Sequence, residues 1–67
     1  MKLDKNKIDL LMAKQQMSTN ELAKKYGVSR NRIQIIFNSA NVTPRTVGKL
    51  AAALEAEPEE IIVMEAR

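Results

Sequence analysis

The chain has 67 residues, 45% of them hydrophobic, with no cysteine and no histidine. That length allows one compact unit, and the composition excludes disulfide staples and the usual zinc sites, so stability must come from regular packing or a partner. The net charge of +3 is unevenly spread: residues 1–49 hold ten lysines and arginines against three acids, a balance of +7, whereas residues 50–67 hold one arginine against five glutamates, a balance of −4.

A basic body with an acidic end suits a polyanion on one side, although charge kept for solubility explains the same balance. No apolar run reaches the roughly 20 residues that span a bilayer, so no membrane partner is expected. The N-terminal MKLDKNKIDLLMAKQQ mixes charges into its apolar positions and has no small-residue cleavage site. It reads as structure, not as a leader, which places the protein in the cytoplasm.

There is no internal repeat, no low-complexity segment and no period-two stretch long enough for a sheet. The first helix is predicted from an N-cap at Asp4 to about Gln16, with Ile8, Leu11, Met12 and Gln15 on a narrow stripe and Leu10 beside it. Ser18-Thr19-Asn20-Glu21 fits a capping box that opens a second helix. Leu22, Ala23 and Tyr26 share one face of it, and Gly27 supplies the left-handed residue that ends it. Ser29 caps a third helix running to about Phe37, with Ile33 and Ile36 facing inward. After the polar connection Asn38–Val42, Thr43-Pro44 reads as an N-cap followed by proline at the first helical position. Val47, Leu50, Ala51 and Leu54 form the buried face of that fourth helix. Pro58, with Glu59 and Glu60 in the first turn, opens a fifth segment containing Ile61, Ile62 and Met64. The expected fold is all-α, an orthogonal bundle of five short helices occupying residues 1–67 as one domain.

The informative stretch is Thr19 to Asn38. Two short helices joined by a three-residue turn pack steeply, with their backbones close. Such a pair needs a small residue at the crossing, a turn residue that tolerates positive φ, and apolar inner faces. Ala23, Gly27 and the set Leu22, Tyr26, Val28, Ile33 and Ile36 meet those needs together, which is the helix-turn-helix signature.

MSTNELAKKYGVSRNRIQIIFN, followed by NVTPRTVGKLAAAL and EPEEII, resembles the lambda-repressor-like, Cro-type (xenobiotic-response-element) family of transcriptional regulators, over about residues 4–64. The resemblance implies a five-helix bundle, double-stranded DNA as partner, and a homodimer on pseudo-palindromic operators. It also implies backbone contacts from Asn38 and from the fourth-helix start at Thr43, Arg45 and Thr46. The family commonly carries glutamine where Thr19 stands; threonine keeps a hydroxyl donor but shortens the reach.

The helical wheel, at about 100° per residue, turns Asn31, Ile35 and Asn38 outward, with Gln34 beside them and Arg30 at the exposed end. Arg30, Asn31, Gln34 and Ile35 are the expected base readers, because arginine pairs with guanine, asparagine and glutamine with adenine, and an aliphatic group with the thymine methyl. Ile35 is the unusual member; packing under the following loop, or against another protein, explains it as well. Thr19, Asn20, Arg32, Asn38, Thr43, Arg45 and Thr46 are the expected phosphate contacts, Arg32 being a weaker candidate among them, as is Lys24 beside them.

One departure from the family is matched. Many members place arginine at the position of Met12 and glutamate at that of Phe37, as a buried ion pair. Here both are apolar, an exchange that is often neutral or stabilising. The two side chains are therefore predicted to touch, within about 5 Å.

An enzyme is not expected, since there is no glycine-rich phosphate loop and no paired acid with a pocket. No cofactor or small-molecule ligand is implied. Glu55, Glu57, Glu59 and Glu60 read as a solvated helix junction. The rival reading is a protein-interaction or antitoxin-like module on the same fold, using Ile35 or the apolar run Ile62, Val63 and Met64.

Overall fold

Each helix begins at a side-chain cap supplied by the sequence. The computed structural model describes residues 1–39 and 41–63. In chain order it contains α1 (Lys5–Lys14), α2 (Thr19–Tyr26), α3 (Arg30–Asn38), α4 (Pro44–Ala53) and a short 3-10 turn, Pro58–Glu60. Asp4, Ser18, Ser29 and Thr43 are the four N-caps, and their side-chain oxygens accept from the N–H groups of Lys7, Glu21, Arg32 and Thr46 respectively. These bonds satisfy donors that have no partner inside a helix.

The helix ends are equally local in origin. Gly27 has φ +98°, and the Val28 N–H returns 3.0 Å to the Ala23 carbonyl, closing α2 before α3 begins. Two other ends use residues other than glycine. α1 stops at Lys14, short of the expected Gln16, because Gln16 takes φ +53° and Met17 donates 2.8 Å back to the Met12 carbonyl. α4 ends the same way, with Glu55 at φ +55° and the Ala56 N–H on the Ala51 carbonyl at 2.9 Å. Both are Schellman closures built without glycine.

Among the described residues the expected fifth helix does not go beyond one turn. Residues Pro58–Glu60 make a single 3-10 turn, so the described residues hold four α-helices and not five. The next residues, Ile61, Ile62 and Val63, are β-branched and favour extended backbone. They find a partner in the N-terminus. Leu3 and Ile62 form an isolated antiparallel bridge, with Asp4 N–H on the Ile61 carbonyl at 2.8 Å and Val63 N–H on the Lys2 carbonyl at 2.9 Å. The pairing buries Leu3 and Ile62, so Ile62 is a core residue and drops out of the apolar run offered for the interaction reading, whereas Val63 stays exposed. Met64 lies outside the described residues, as does Ala40.

The core gathers residues from all four α-helices and from the chain on either side of the 3-10 turn. Ile8, Leu22, Ile33, Val47, Leu50, Leu54 and Ile61 are fully buried, and α2 packs against both α3 and α4. Gln15, expected on the apolar stripe of α1, instead donates its side-chain amide to the Leu54 carbonyl at the end of α4. Met12 is buried, and Phe37 is half-buried against the same core. The Phe37 ring also meets a cation: Lys5 Nζ lies 5.0 Å from its centroid, and Lys49 Nζ lies 4.7 Å from that of Tyr26. Such contacts add modest stability on an exposed edge.

The capping box gives a first expected change in stability. Ser18 and Glu21 bond reciprocally, at 3.2 Å and 2.9 Å. Ser18→Ala should cost about 1 kcal/mol in denaturant unfolding. The Ser18 backbone N–H, and then its hydroxyl, hold the Glu21 carboxyl below its ordinary 4.5. A lowered carboxyl contributes stability that is present above 4.5 and lost as pH falls through the folded value. The acid limb of the stability curve should therefore flatten in Glu21→Gln.

Gly48 is the second case. It is exposed in the middle of α4, and an added Cβ would meet nothing within 4 Å. Gly48→Ala should stabilise the fold by roughly 0.5–1 kcal/mol, read as a rise in the denaturant midpoint.

Candidate nucleic-acid interface

α3 is two-sided in composition and in burial. Ile33 is fully buried, Ile36 and Phe37 are half-buried against the core, and Arg30, Asn31, Arg32, Gln34, Ile35 and Asn38 are exposed. The spacing explains the division, because residues three and four apart share a face of a helix. Asn31, Ile35 and Asn38 form one exposed row, and Arg30 with Gln34 forms the row beside it. Ile35 is 56% exposed, so it is not packed under the loop that comes after α3. Its carbonyl, but not its side chain, is engaged: the Ser39 hydroxyl donates to it at 3.0 Å.

The flanking polar groups sit at the ends of α2, α3 and α4. Thr19 and Asn20 are the first two residues of α2, the first half-buried and the second exposed. Ser18 caps only the Glu21 N–H, leaving N–H groups of this first turn directed along the helix axis for an outside acceptor. Asn38 is the last residue of α3. At α4, Arg45 is exposed, and Thr46 is half-buried. The Thr43 hydroxyl oxygen accepts from the Thr46 N–H at 3.2 Å and lies 3.1 Å from the Thr46 hydroxyl. Those two threonines are thus partly committed to each other, and Arg45 is the unencumbered group of that turn. Lys24 is exposed, whereas Lys25, which the sequence pattern does not single out, approaches Glu55 at 3.4 Å.

The side chains of this face are open to solvent. Two open pockets lie elsewhere on the molecule, one lined by Lys25, Lys49, Ala52, Ala53 and Glu55 and the other by Lys7, Leu10, Leu11, Glu59 and Glu60. Neither touches α3. No group of three metal-ligating side chains occurs among the described residues, and no helix there is long and apolar enough to cross a membrane.

A tight pair of short helices, closed by a glycine at positive φ and presenting an outer row of amide and guanidinium side chains, defines a helix-turn-helix protein of the DNA-binding class. The chain belongs to the Cro/C1-type HTH DNA-binding domain family, whose model matches residues 7–67. No curated protein and no solved structure matches the chain at a significant level. Family membership makes this a DNA-binding regulator in general terms, with double-stranded DNA as its partner class.

Proposed function

We propose that the protein is a sequence-specific transcriptional regulator, a small Cro-like repressor acting in the cytoplasm, that lays α3 in the major groove of duplex DNA. The observation that carries this reading is the exposed face of α3, where Arg30, Asn31, Gln34 and Ile35 stand clear of the core. A helix about 10–12 Å across fits a groove about 12 Å wide. In it, Arg30 suits guanine O6 and N7, Asn31 and Gln34 suit adenine N6 and N7, and Ile35 packs on a thymine methyl. Thr19, Asn20, Arg32, Asn38, Thr43, Arg45 and Thr46 hold the phosphates on either side, fixing the register without reading sequence. Two protomers then take the two halves of a pseudo-palindromic site.

The test is a salt titration of binding to random duplex. Affinity should fall linearly on a log–log plot, with a slope of about −0.9 for each phosphate neutralised. A flat response, or no binding at low salt, would leave Ile35 as part of a protein contact and support the interaction-module reading.

A further inference from the structure

The side of the molecule formed by α1 and the 3-10 turn carries an apolar feature that DNA reading does not use. Leu10 is 71% exposed, more than the other large hydrophobic side chains left outside the described core. Beside it lies an open groove of about 360 Å³, lined by Lys7, Leu10, Leu11, Glu59 and Glu60. Along α1, Lys7 and Lys14 stand one turn before and one turn after Leu10, on the same face. Across the groove, Glu59 and Glu60 form an acidic wall. Among the described residues, none of these four charges is in a salt bridge.

We propose that this face is where a second copy of the chain docks, with Leu10 of each protomer seated in the other's groove. The proposal deepens the homodimer reading given above and rests on it. The argument is self-complementarity. An isologous contact must present a knob and its hole, and both signs of charge, on one patch. A basic partner would match the glutamates and be repelled by the lysines; an acidic one would do the reverse. A two-fold copy satisfies both walls at once, because rotation brings the lysine-flanked α1 of one protomer over the glutamates of the next. An apolar centre with a polar, charged rim is the usual layout of a protein–protein interface.

Lys14 and Glu59 are the charges to alter. Lys7 already donates to the Ile62 carbonyl at 3.2 Å, and the Glu60 carboxylate accepts the Glu57 N–H at 2.8 Å, so changing those would disturb the fold. The experiment is sedimentation equilibrium of the full chain without DNA, up to several hundred micromolar, with circular dichroism melts as a check on folding. Wild type should dimerise, and Leu10→Glu should weaken the dimer at least tenfold with its melt retained. Lys14→Glu and Glu59→Lys should each dimerise poorly alone. Mixed in equal amounts they should dimerise again, since both charge contacts of the mixed pair are then opposite in sign. A wild type that stays monomeric, a Leu10→Glu dimer as tight as wild type, or a mixture no tighter than its parts would each overturn the proposal. The charge-reversed pair decides the matter if Leu10→Glu does not fold. A dimer that meets these tests but ignores duplex DNA would instead defeat the function assigned to α3, so the two failures are distinguishable.

Discussion

Ile33→Ala should unfold a large fraction of the protein, while leaving the outer face of α3 chemically intact. Ile33 is fully buried, on the side of α3 opposite Asn31 and Ile35. Truncating a buried isoleucine to alanine removes its transfer free energy and leaves a cavity, at a cost of roughly 2–5 kcal/mol. A chain of 67 residues has a total stability of only about 3–10 kcal/mol at typical per-residue values. The loss is therefore comparable with the whole. In a thermal melt followed by circular dichroism, the midpoint should fall by at least about 8 °C, at roughly 4–8 °C per kcal/mol for a domain of this size. DNA binding should fall with the folded fraction, equally for every sequence. A melt within a few degrees of wild type would mean that α3 is held by something other than this core.

The helix-turn-helix was legible because its constraints are local. A capping box needs Ser18 and Glu21 three residues apart, and a tight turn needs a residue such as Gly27 that accepts positive φ. Both are visible in a string of letters, and both appear in the structure with the expected partners. The same holds for Ser29 and Thr43 as caps. Burial of Ile33 against exposure of Asn31, Gln34 and Ile35 is set by the 3.6-residue period alone.

The errors lie where long-range pairing decides the outcome. Pro58-Glu59-Glu60 is a sound helix start, yet a start signal does not set how far the helix runs. Here the chain leaves the helical region after one turn because Ile61 and Val63 find backbone partners at Asp4 and Lys2. That pairing joins the two ends of the chain, and no local pattern announces it. It also makes Leu3 a core residue, although Leu3 falls outside the helical stripe of α1. The early end of α1 has a different cause: a Schellman closure on Gln16, at a position where glycine or asparagine is the usual signal. Likewise the engagement of Gln15 with Leu54 turns an apparent stripe position into a polar tie between α1 and the end of α4.

Asn31 and Arg45 should divide affinity from specificity. Both are exposed, one in the outer row of α3 and the other at the first turn of α4. If Asn31 pairs bidentately with an adenine, Asn31→Ala should remove about 1–3 kcal/mol of discrimination at one base pair, a change of roughly five- to 150-fold in the ratio of preferred to altered site. Arg45→Ala should weaken all duplexes alike and reduce the salt slope by about one, the signature of a single phosphate contact. Selection from a random duplex pool, with titration of the winning site and its single-base variants, measures both quantities. Ile35 adds a test at the level of one methyl group. Replacing the contacted thymine by uracil deletes the C5 methyl and leaves the hydrogen-bonding edge unchanged. Wild type should then lose affinity, whereas Ile35→Ala should bind the two duplexes equally, because the apolar contact is already gone. Equal effects of Asn31→Ala and Arg45→Ala at every sequence would refute the division of roles. Indifference of the wild type to uracil at every thymine of the site would move Ile35 from the base-reading set to a protein contact.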